Sequence, residues 1–254
     1  MTSPILVTGG TGTLGSHVVP LLRAAGRDVR VLSRHSRESG DNGIEYVTAD
    51  LLKSEGIDAA LEEVETVLHL AGGPKGDDEA TRNLVAAASR AGVRHLVYIS
   101  VTGADTIPLG YFRSKLGAER AVAGSGLPWT TLRVAQFHDL ALKMVRGMAK
   151  LPVVPVPGGL RFQPVDSRDV AARLVELALD KPAGRVPDLT GPTVYGMADL
   201  LHGYLKARGK RRPLLPVRMP GKAGRVYRAG DNLSLADTTV GNRTWEDFLA
   251  ERVG

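Results

Sequence analysis

Three glycines spaced three apart, Gly9, Gly12 and Gly15, lie in the stretch VTGGTGTLGSHVV near the start of the chain. Glycine is unfavourable inside a helix or a strand, so its use here needs another reason. In a turn from a strand to a helix, glycines let the backbone approach a pyrophosphate, which binds free N–H groups at the helix N-terminus. The alternative is a turn with a structural role only. The residues expected to contact the phosphates are Gly9, Thr11, Gly12, Thr13, Leu14 and Gly15.

The end of the second predicted strand indicates which dinucleotide would bind. Dinucleotide sites that take NAD usually place Asp or Glu there, to accept hydrogen bonds from the ribose 2′-hydroxyl. This chain has Ser33 and Arg34 and no acidic residue at that position. Because a guanidinium can pair with a 2′-phosphate through two hydrogen bonds, we expect NADP(H) as the cofactor. The alternative is an exposed arginine at a strand end.

Tyr111 and Lys115 are four residues apart in a segment of helical period, with no acidic residue between them. Residues at this spacing lie on one face of a helix. A nearby ammonium favours the phenolate form and lowers the pKa of a tyrosine below its reference value of about 10. Such a tyrosine can donate a proton to a carbonyl oxygen, or accept one in the reverse direction. The alternative is an amphipathic surface helix in which the two residues meet by chance.

These residues lie at the boundaries of elements that alternate along the chain. Short runs rich in Val, Ile and Leu alternate with longer segments of helical period, which predicts right-handed crossovers and a parallel sheet. Continuous apolar runs predict strands that are buried on both faces. The sequence therefore predicts an α/β fold of the Rossmann type, a doubly wound parallel sheet. The predicted strands are residues 5–8, 29–33, 44–49, 66–71, 95–100 and 129–134.

The second half of the chain has a different pattern. Pro-rich loops appear at 150–159, and Asp166 is expected to be the N-cap of an amphipathic helix. We expect a nucleotide-binding Rossmann domain over residues 1–150. A smaller, mixed C-terminal region over 151–254 is expected to cover the substrate site and to be interleaved with the Rossmann core.

Composition excludes several classes of protein. The 254 residues include no Cys, which excludes disulfides, a thiol nucleophile and a zinc–thiolate site, and no His or carboxylate pair has metal-ligand spacing. The net charge of +6 comes from the stretch 206–228, which contains nine basic residues and no acidic one. This stretch is either a solvated helix end and loop or a site for an anion. A nucleic-acid partner is not expected, since the rest of the chain is not basic.

No apolar run approaches the length of a membrane span, and there is no room for a signal peptide before the first apolar run. We therefore expect a cytoplasmic protein, monomeric or homodimeric, that has a small molecule as its partner and no membrane partner.

The motifs TGGTGTLG, TADL, LHLAGG, LVYISVTGAD and YFRSK occur in the order found in short-chain dehydrogenase/reductases, and the sequence resembles their atypical, NmrA-like NAD(P)H-binding branch. The resemblance covers nearly the whole chain and implies that Lys115 holds the nicotinamide ribose. It also implies that Asp50 and Leu51 flank the adenine. The residues implied to line the route from the pyrophosphate to the nicotinamide ribose are Ala71, Gly72 and Gly73.

The family usually has a Ser or Thr at the end of the fifth strand, where this chain has Val101. Ser100 and Thr102 lie on either side, and strand alternation points both away from the side of Val101. Either could bind the carbonyl group of a substrate, and Ser100 is the one we assign to the catalytic set with Tyr111 and Lys115.

Three functions remain open from the sequence. The first is an NADPH-dependent oxidoreductase that reduces a carbonyl, enone or quinone. The second is a non-catalytic, NADP-sensing regulatory protein of the NmrA-like kind. The third is an epimerase or dehydratase that uses its bound nucleotide transiently. The Tyr–Lys pair favours an enzyme, whereas Val101 favours the sensor.

Overall fold

The computed structural model of the protein describes residues 3–37, 43–73 and 75–253. Strands and helices alternate through the first half of these residues. The strands are β1 (Ile5–Thr8), β2 (Val29–Ser33), β3 (Ile44–Thr48), β4 (Thr66–His69), β5 (His95–Val101), β6 (Trp129–Val134), β7 (Val154–Pro157), β8 (Arg161–Phe162), β9 (Gly184–Arg185), β10 (Asp188–Thr190), β11 (Tyr195–Gly196), β12 (Leu214–Val217) and β13 (Thr238–Val240). The helices are α1 (Gly15–Ala24), α2 (Ile57–Ala60), α3 (Asp77–Arg90), α4 (Gly110–Ala123), α5 (His138–Met148), α6 (Ser167–Leu179), α7 (Met197–Ala207), α8 (Gly221–Ala229) and α9 (Trp245–Val253).

The central sheet is parallel and has the strand order β13-β10-β6-β5-β4-β1-β2-β3, with β9 paired to β6. The chain runs outward from β1 in one direction through β2 and β3, and in the other through β4, β5 and β6. Thr8 at the end of β1 is level with Leu32 in β2 and His69 in β4. Ligands of such sheets bind beyond the carboxyl ends of the strands, where the order reverses. The predicted fold class, a doubly wound α/β fold of the Rossmann type, is confirmed.

The six predicted strands are the first six strands of the structure. β1 is fully buried and β5 is buried along all seven residues, as expected of apolar strands covered on both faces. The largest difference in length is at β4, which ends at His69, two residues before the predicted end. The N–H of Leu70 still donates to the carbonyl oxygen of Thr8 at 3.2 Å, but residues 70–73 are no longer strand and form a loop at the carboxyl edge of the sheet.

The chain divides into two compact units. The first comprises Met1–Ser100, Gly110–Leu132 and Ala171–Val186. Its core contains Leu6, Leu84 and Leu96, all fully buried. This division does not follow a single boundary at residue 150, since most of α6 belongs to the first unit.

The second unit comprises Val101–Leu109, Arg133–Val170 and Pro187–Gly254. Its core is built around Trp245 and Phe248. Asp166 is the expected N-cap of α6: its Oδ1 accepts a hydrogen bond of 2.8 Å from the backbone N–H of Arg168. Burial opposes the charge of Asp166, but hydrogen bonds from Arg168 outweigh it and lower the pKa of this carboxyl. That the region 151–254 covers a substrate stays a prediction.

In the part of the chain that the structure describes, no helix combines the length and the apolar character needed to cross a membrane. The same residues contain no group of three or more His, Asp or Glu arranged to hold a metal ion.

Candidate active site

The loop between β1 and α1 contains glycines that are required for two different reasons. A Cβ on Gly9 would lie 2.7 Å from the backbone nitrogen of Ala71, and Gly9 has a φ of +69°. A Cβ on Gly15 would collide with the backbone of Gly10. These two glycines are explained by the close approach of one backbone segment to another. Gly12 is different, because its Cβ would meet only the carbonyl oxygen of Gly9, at 3.3 Å.

The start of α1 is available to an anion. Thr11, Gly12 and Thr13 are exposed, and α1 has no acidic residue in its first turn. Among the described residues, no acceptor is found for the backbone N–H groups of Leu14 and Gly15. Free N–H groups and the positive end of a helix fit a pyrophosphate, and the missing side chain of Gly12 leaves room for it.

The two residues at the end of β2 are placed differently. Ser33 is buried, and its hydroxyl donates a hydrogen bond of 2.9 Å to the carbonyl oxygen of His35. Arg34 is exposed, and its guanidinium forms no ion pair with a described residue. Arg37, which the sequence analysis did not consider, lies nearby with its guanidinium carbon 5.9 Å from the centre of the Tyr46 ring. Arg34 is therefore free to meet a phosphate, whereas Ser33 shapes the turn.

Asp50 and Leu51 follow β3 and have largely local roles in the structure. Oδ1 of Asp50 accepts hydrogen bonds from the N–H groups of Leu52 and Lys53, at 2.9 and 3.2 Å. The side chain of Leu51 is 7% exposed and belongs to the core of the first unit. Their contact with an adenine stays a prediction.

Lys115 lies against the loop after β4. Its ammonium Nζ is 2.9 Å from Oδ2 of Asp77, the first residue of α3, and both side chains are 6% exposed. A Cβ on Gly72 would lie 2.9 Å from the same Nζ. The structure thus brings together Gly72, Gly73 and Lys115, which the sequence analysis selected for separate reasons. Asp77 was not predicted as a site residue from sequence. The segment between Tyr111 and Lys115 contains no acidic residue, but the structure gives Lys115 a buried counter-ion from α3.

A chain of buried hydrogen bonds runs beneath this loop. The N–H of Ala71 donates to Oγ1 of Thr8 at 3.1 Å, and the Thr8 hydroxyl lies 2.7 Å from Nδ1 of His69. Nε2 of His69 lies 3.0 Å from Oγ1 of Thr81, which donates to the carbonyl oxygen of Asp77 at 2.6 Å. Since the Thr81 proton goes to Asp77, Nε2 of His69 must be the donor and Nδ1 the acceptor.

His69 is therefore held neutral between two hydroxyl groups. Burial, and then the charge of Lys115, lower the pKa of His69 to about 3. His69 lies in the motif LHLAGG, and no role was predicted for it from sequence. A polar residue at the end of an apolar strand was the available signal.

The proposed proton donor is accessible. Tyr111 lies in the first turn of α4 and is 40% exposed, with its ring packed edge-on against Phe112 at 5.3 Å. Ser100 is buried, and among the described residues no hydrogen-bond partner is found for its hydroxyl. In the second unit, the hydroxyl of Thr102 donates to Oδ2 of Asp188 at 3.0 Å. Of the two alternatives for binding a carbonyl, Ser100 is the one with an uncommitted hydroxyl.

His138, at the start of α5, lies inside the second unit. It is fully buried, and its ring packs against Trp245 and Phe248 at centroid distances of 5.8 and 5.2 Å. The adjacent Asp139 accepts a hydrogen bond of 3.2 Å from the hydroxyl of Ser167. These contacts give both residues a structural role.

Three comparisons with known proteins agree with this geometry. The chain is 34% identical over 194 residues to (4-alkanoyl-5-oxo-2,5-dihydrofuran-3-yl)methyl phosphate reductase of Streptomyces griseus, covering 74% of this chain and 68% of that protein. It is 30% identical over 223 residues to NAD(P)H azoreductase of Xenophilus azovorans, covering 84% and 75%. The crystal structure of the NADPH-dependent quinone oxidoreductase QOR2 of Escherichia coli, complexed with NADPH, has a TM-score of 0.84 at 21% identity, covering 97% and 99%.

The sequence model of the NAD(P)H-binding family matches residues 9–181, which is more than half of the chain. The expectation of a nicotinamide nucleotide as cofactor is confirmed, because the matched family binds NAD(P)H. Membership of the NmrA-like branch stays a prediction. The expectation of an oxidoreductase agrees with the reductases found among the relatives. This match shows the family, and the glycine loop and the free helix N-terminus agree with it: the chain belongs to the NAD(P)H-binding family.

Proposed function

We propose that this protein is an NADPH-dependent oxidoreductase that reduces a small-molecule carbonyl, enone or quinone. The observation that carries the proposal is the position of Lys115, whose ammonium lies against Gly72 at the edge of the sheet where the glycine loop also ends. A nucleotide whose pyrophosphate lay on the start of α1 would extend toward this ammonium.

Each protein group along the bound nucleotide has one role in this proposal. The N–H groups at the start of α1 hold the pyrophosphate, Arg34 pairs with the 2′-phosphate, and Lys115 donates hydrogen bonds to the nicotinamide ribose. When bound, NADPH supplies a hydride to a carbon atom of the substrate.

The side chains of the protein supply the proton. The hydroxyl of Ser100, buried and without a partner among the described residues, would donate a hydrogen bond to the substrate oxygen once it becomes accessible. Tyr111 donates its proton to that oxygen as negative charge develops there, so that a carbonyl group leaves as an alcohol. Because Tyr111 is 40% exposed, the phenolate can recover a proton from water.

The relatives support a reductase and leave the substrate open. Their names give a furanone phosphate and, through the word azoreductase, an azo compound as the groups that are reduced. An NADP-sensing protein remains the second candidate, because Val101 stands where the family that the sequence resembles has a hydroxyl residue.

The test is a screen of carbonyl, enone and quinone compounds that follows the loss of NADPH absorbance, repeated with Tyr111→Phe. This variant keeps the ring and removes the hydroxyl. We expect its turnover to fall by about 10²–10⁴-fold, the range for losing a general acid, with NADPH affinity almost unchanged.

Tyr204→Phe, on α7, is the matched control and should keep the wild-type rate. If the wild type binds NADPH but reduces no compound, or if Tyr111→Phe is as fast as the wild type, the catalytic proposal is wrong and the sensor is favoured.

A further inference from the structure

The ion pair of Asp77 with Lys115 has no role in the chemistry described so far. It joins the first residue of α3 to the middle of α4, and both side chains are almost fully buried. A lysine that only had to reach a ribose hydroxyl from solvent would need no buried partner. Burying two charges is unfavourable unless their geometry is fixed, so this pair needs an explanation.

The carboxylate of Asp77 is fixed from several sides. Its Oδ1 accepts a hydrogen bond of 2.6 Å from the N–H of Gly73, while Oδ2 faces Lys115. Its carbonyl oxygen accepts the proton of Thr81, the last link in the hydrogen-bond chain through His69. Asp77 is thus tied to the ends of both β1 and β4, and its position is determined by the sheet edge.

The ammonium of Lys115 is enclosed on three sides. Asp77 lies on one side, the backbone of Gly72 on another, and the ring of Tyr98 on a third, with Nζ 5.4 Å from the ring centre. Gly72 itself is exposed. The ammonium is therefore held just beneath an exposed loop, with its remaining N–H groups available to a ligand that lies on that loop.

We propose that Asp77 is a positioning residue for Lys115, holding its ammonium against Gly72 at the place where it meets the nicotinamide ribose. This inference rests on the proposed function. It explains why a carboxylate that cannot touch the substrate is buried beside the one lysine of the catalytic set.

The neighbouring Asp78 provides a matched control. It belongs to the same helical turn, and its carboxylate accepts hydrogen bonds from Ser114 at 2.9 Å and Arg82 at 3.1 Å. Its side chain is 35% exposed, and among the described residues the ion pair of Lys115 is with Asp77 and not with Asp78. Asp78→Asn therefore removes the same charge from the same turn and leaves the buried pair intact.

The groups around Lys115 make a pH experiment interpretable. Asp77, Tyr98 and His69 interact with Lys115 itself. Asp78, Tyr111 and Glu119 act on the neighbouring Tyr98. The pKa of His69 is lowered to about 3 by burial and the charge of Lys115, and burial raises the pKa of Tyr98. Neither of these two groups changes charge between about pH 6 and pH 9.

The experiment measures the NADPH dissociation constant of the wild type, Asp77→Asn and Asp78→Asn by fluorescence titration from about pH 6 to pH 9. Burial disfavours the charged form of any ammonium that has no counter-ion, so the experiment compares affinities across pH. We expect Asp77→Asn to bind NADPH about tenfold more weakly than the wild type near pH 9 and about equally near pH 6. The wild type and Asp78→Asn should share one pH profile.

A second comparison covers the case in which Asp77→Asn does not fold. Lys115→Gln and the double variant with Asp77→Asn carry no buried ammonium, and the double variant carries no buried charge at this position. If Asp77 acts through Lys115, both should bind NADPH with the same reduced affinity. A further loss of affinity in the double variant relative to Lys115→Gln, or a wild-type pH profile in Asp77→Asn, would overturn the inference while leaving the proposed oxidoreductase in place. A wild type that did not bind NADPH would overturn both.

Discussion

Arg34 is the residue that we propose to set the preference for NADPH over NADH. It follows β2 at the carboxyl edge of the sheet, is exposed, and has no carboxylate partner among the described residues. A guanidinium in this position gains a partner only when a phosphate arrives. The nearby Arg37 packs over Tyr46, so that its charge lies beside a ring at the same edge.

Arg34→Ala should therefore weaken the binding of NADPH and leave that of NADH unchanged. A charge-assisted contact of this kind contributes about 1.5–3 kcal/mol, which corresponds to roughly a ten- to hundredfold loss of affinity. Calorimetric titration of both nucleotides measures the effect. Arg90→Ala, an exposed arginine that pairs with Asp58, is the control. Equal affinity of the wild type for the two nucleotides would exclude this role for Arg34.

Sequence alone could identify residues whose type is tied to their chemistry. Gly12 and Lys115 were selected by their spacing and Arg34 by its place at the end of a strand, and their roles stay predictions. Asp77 and His69 could not be identified in the same way. Two aspartates stand side by side at the start of α3, and only the packing of α3 against α4 determines that Asp77 is buried beside Lys115 and that Asp78 is not.

In the turn between β1 and α1, one glycine is required for the fold and another is expected to leave room for a ligand. Gly15 has no space for a side chain because the backbone of Gly10 passes close to it. Gly12 has space on the side away from Gly9, and that space lies next to the free start of α1. The two positions should respond differently to the same substitution.

Gly12→Val should give a folded protein with strongly reduced NADPH affinity, because the added side chain occupies the volume assigned to the pyrophosphate. Gly15→Val should unfold the protein or lower its stability sharply, because overpacking a backbone contact is costly. Circular dichroism reports folding, and calorimetry reports binding. Undiminished NADPH affinity in folded Gly12→Val would mean that this loop does not hold the phosphates.

The elements of the sheet were predictable to different degrees. Short apolar runs defined β1, β2 and β6 with the correct bounds, because burial on both faces requires such runs. No bounds were predicted for the short strands of the second half. β8 and β11 have two residues each and exist only because they pair with one another, which no local pattern can indicate.

The folded protein as a whole should be sensitive to acid through His69. The folded form binds a proton there only near pH 3, whereas the unfolded chain does so below about 6.5. The unfolded state therefore holds more protons between these values, so stability falls as the pH falls through this range and is unaffected above it. The buried His95, whose pKa burial also lowers, acts in the same direction.

Urea denaturation near pH 7 and near pH 4.5 should show a loss of about 2–3 kcal/mol attributable to His69. His69→Gln should be less stable than the wild type near pH 7, since the hydrogen-bond chain is broken, but should lose less on acidification. His202→Gln, at an exposed position, should behave like the wild type. An equal acid-induced loss in His69→Gln and the wild type would assign the sensitivity to other groups.

The way in which the chain alternates between its two units also limits how the gene can be divided. The first unit is completed by Ala171–Val186, which includes β9, and β9 pairs with β6 through Thr130 and Gly184. A shortened gene that stopped near codon 150 would encode all of the glycine loop and both Tyr111 and Lys115, yet its product would lack this partner strand. An unpaired strand edge favours association with other chains. Fragments of this protein would therefore have to be produced together. A functional exchange with a related gene should replace the whole coding sequence and not a part that ends near codon 150.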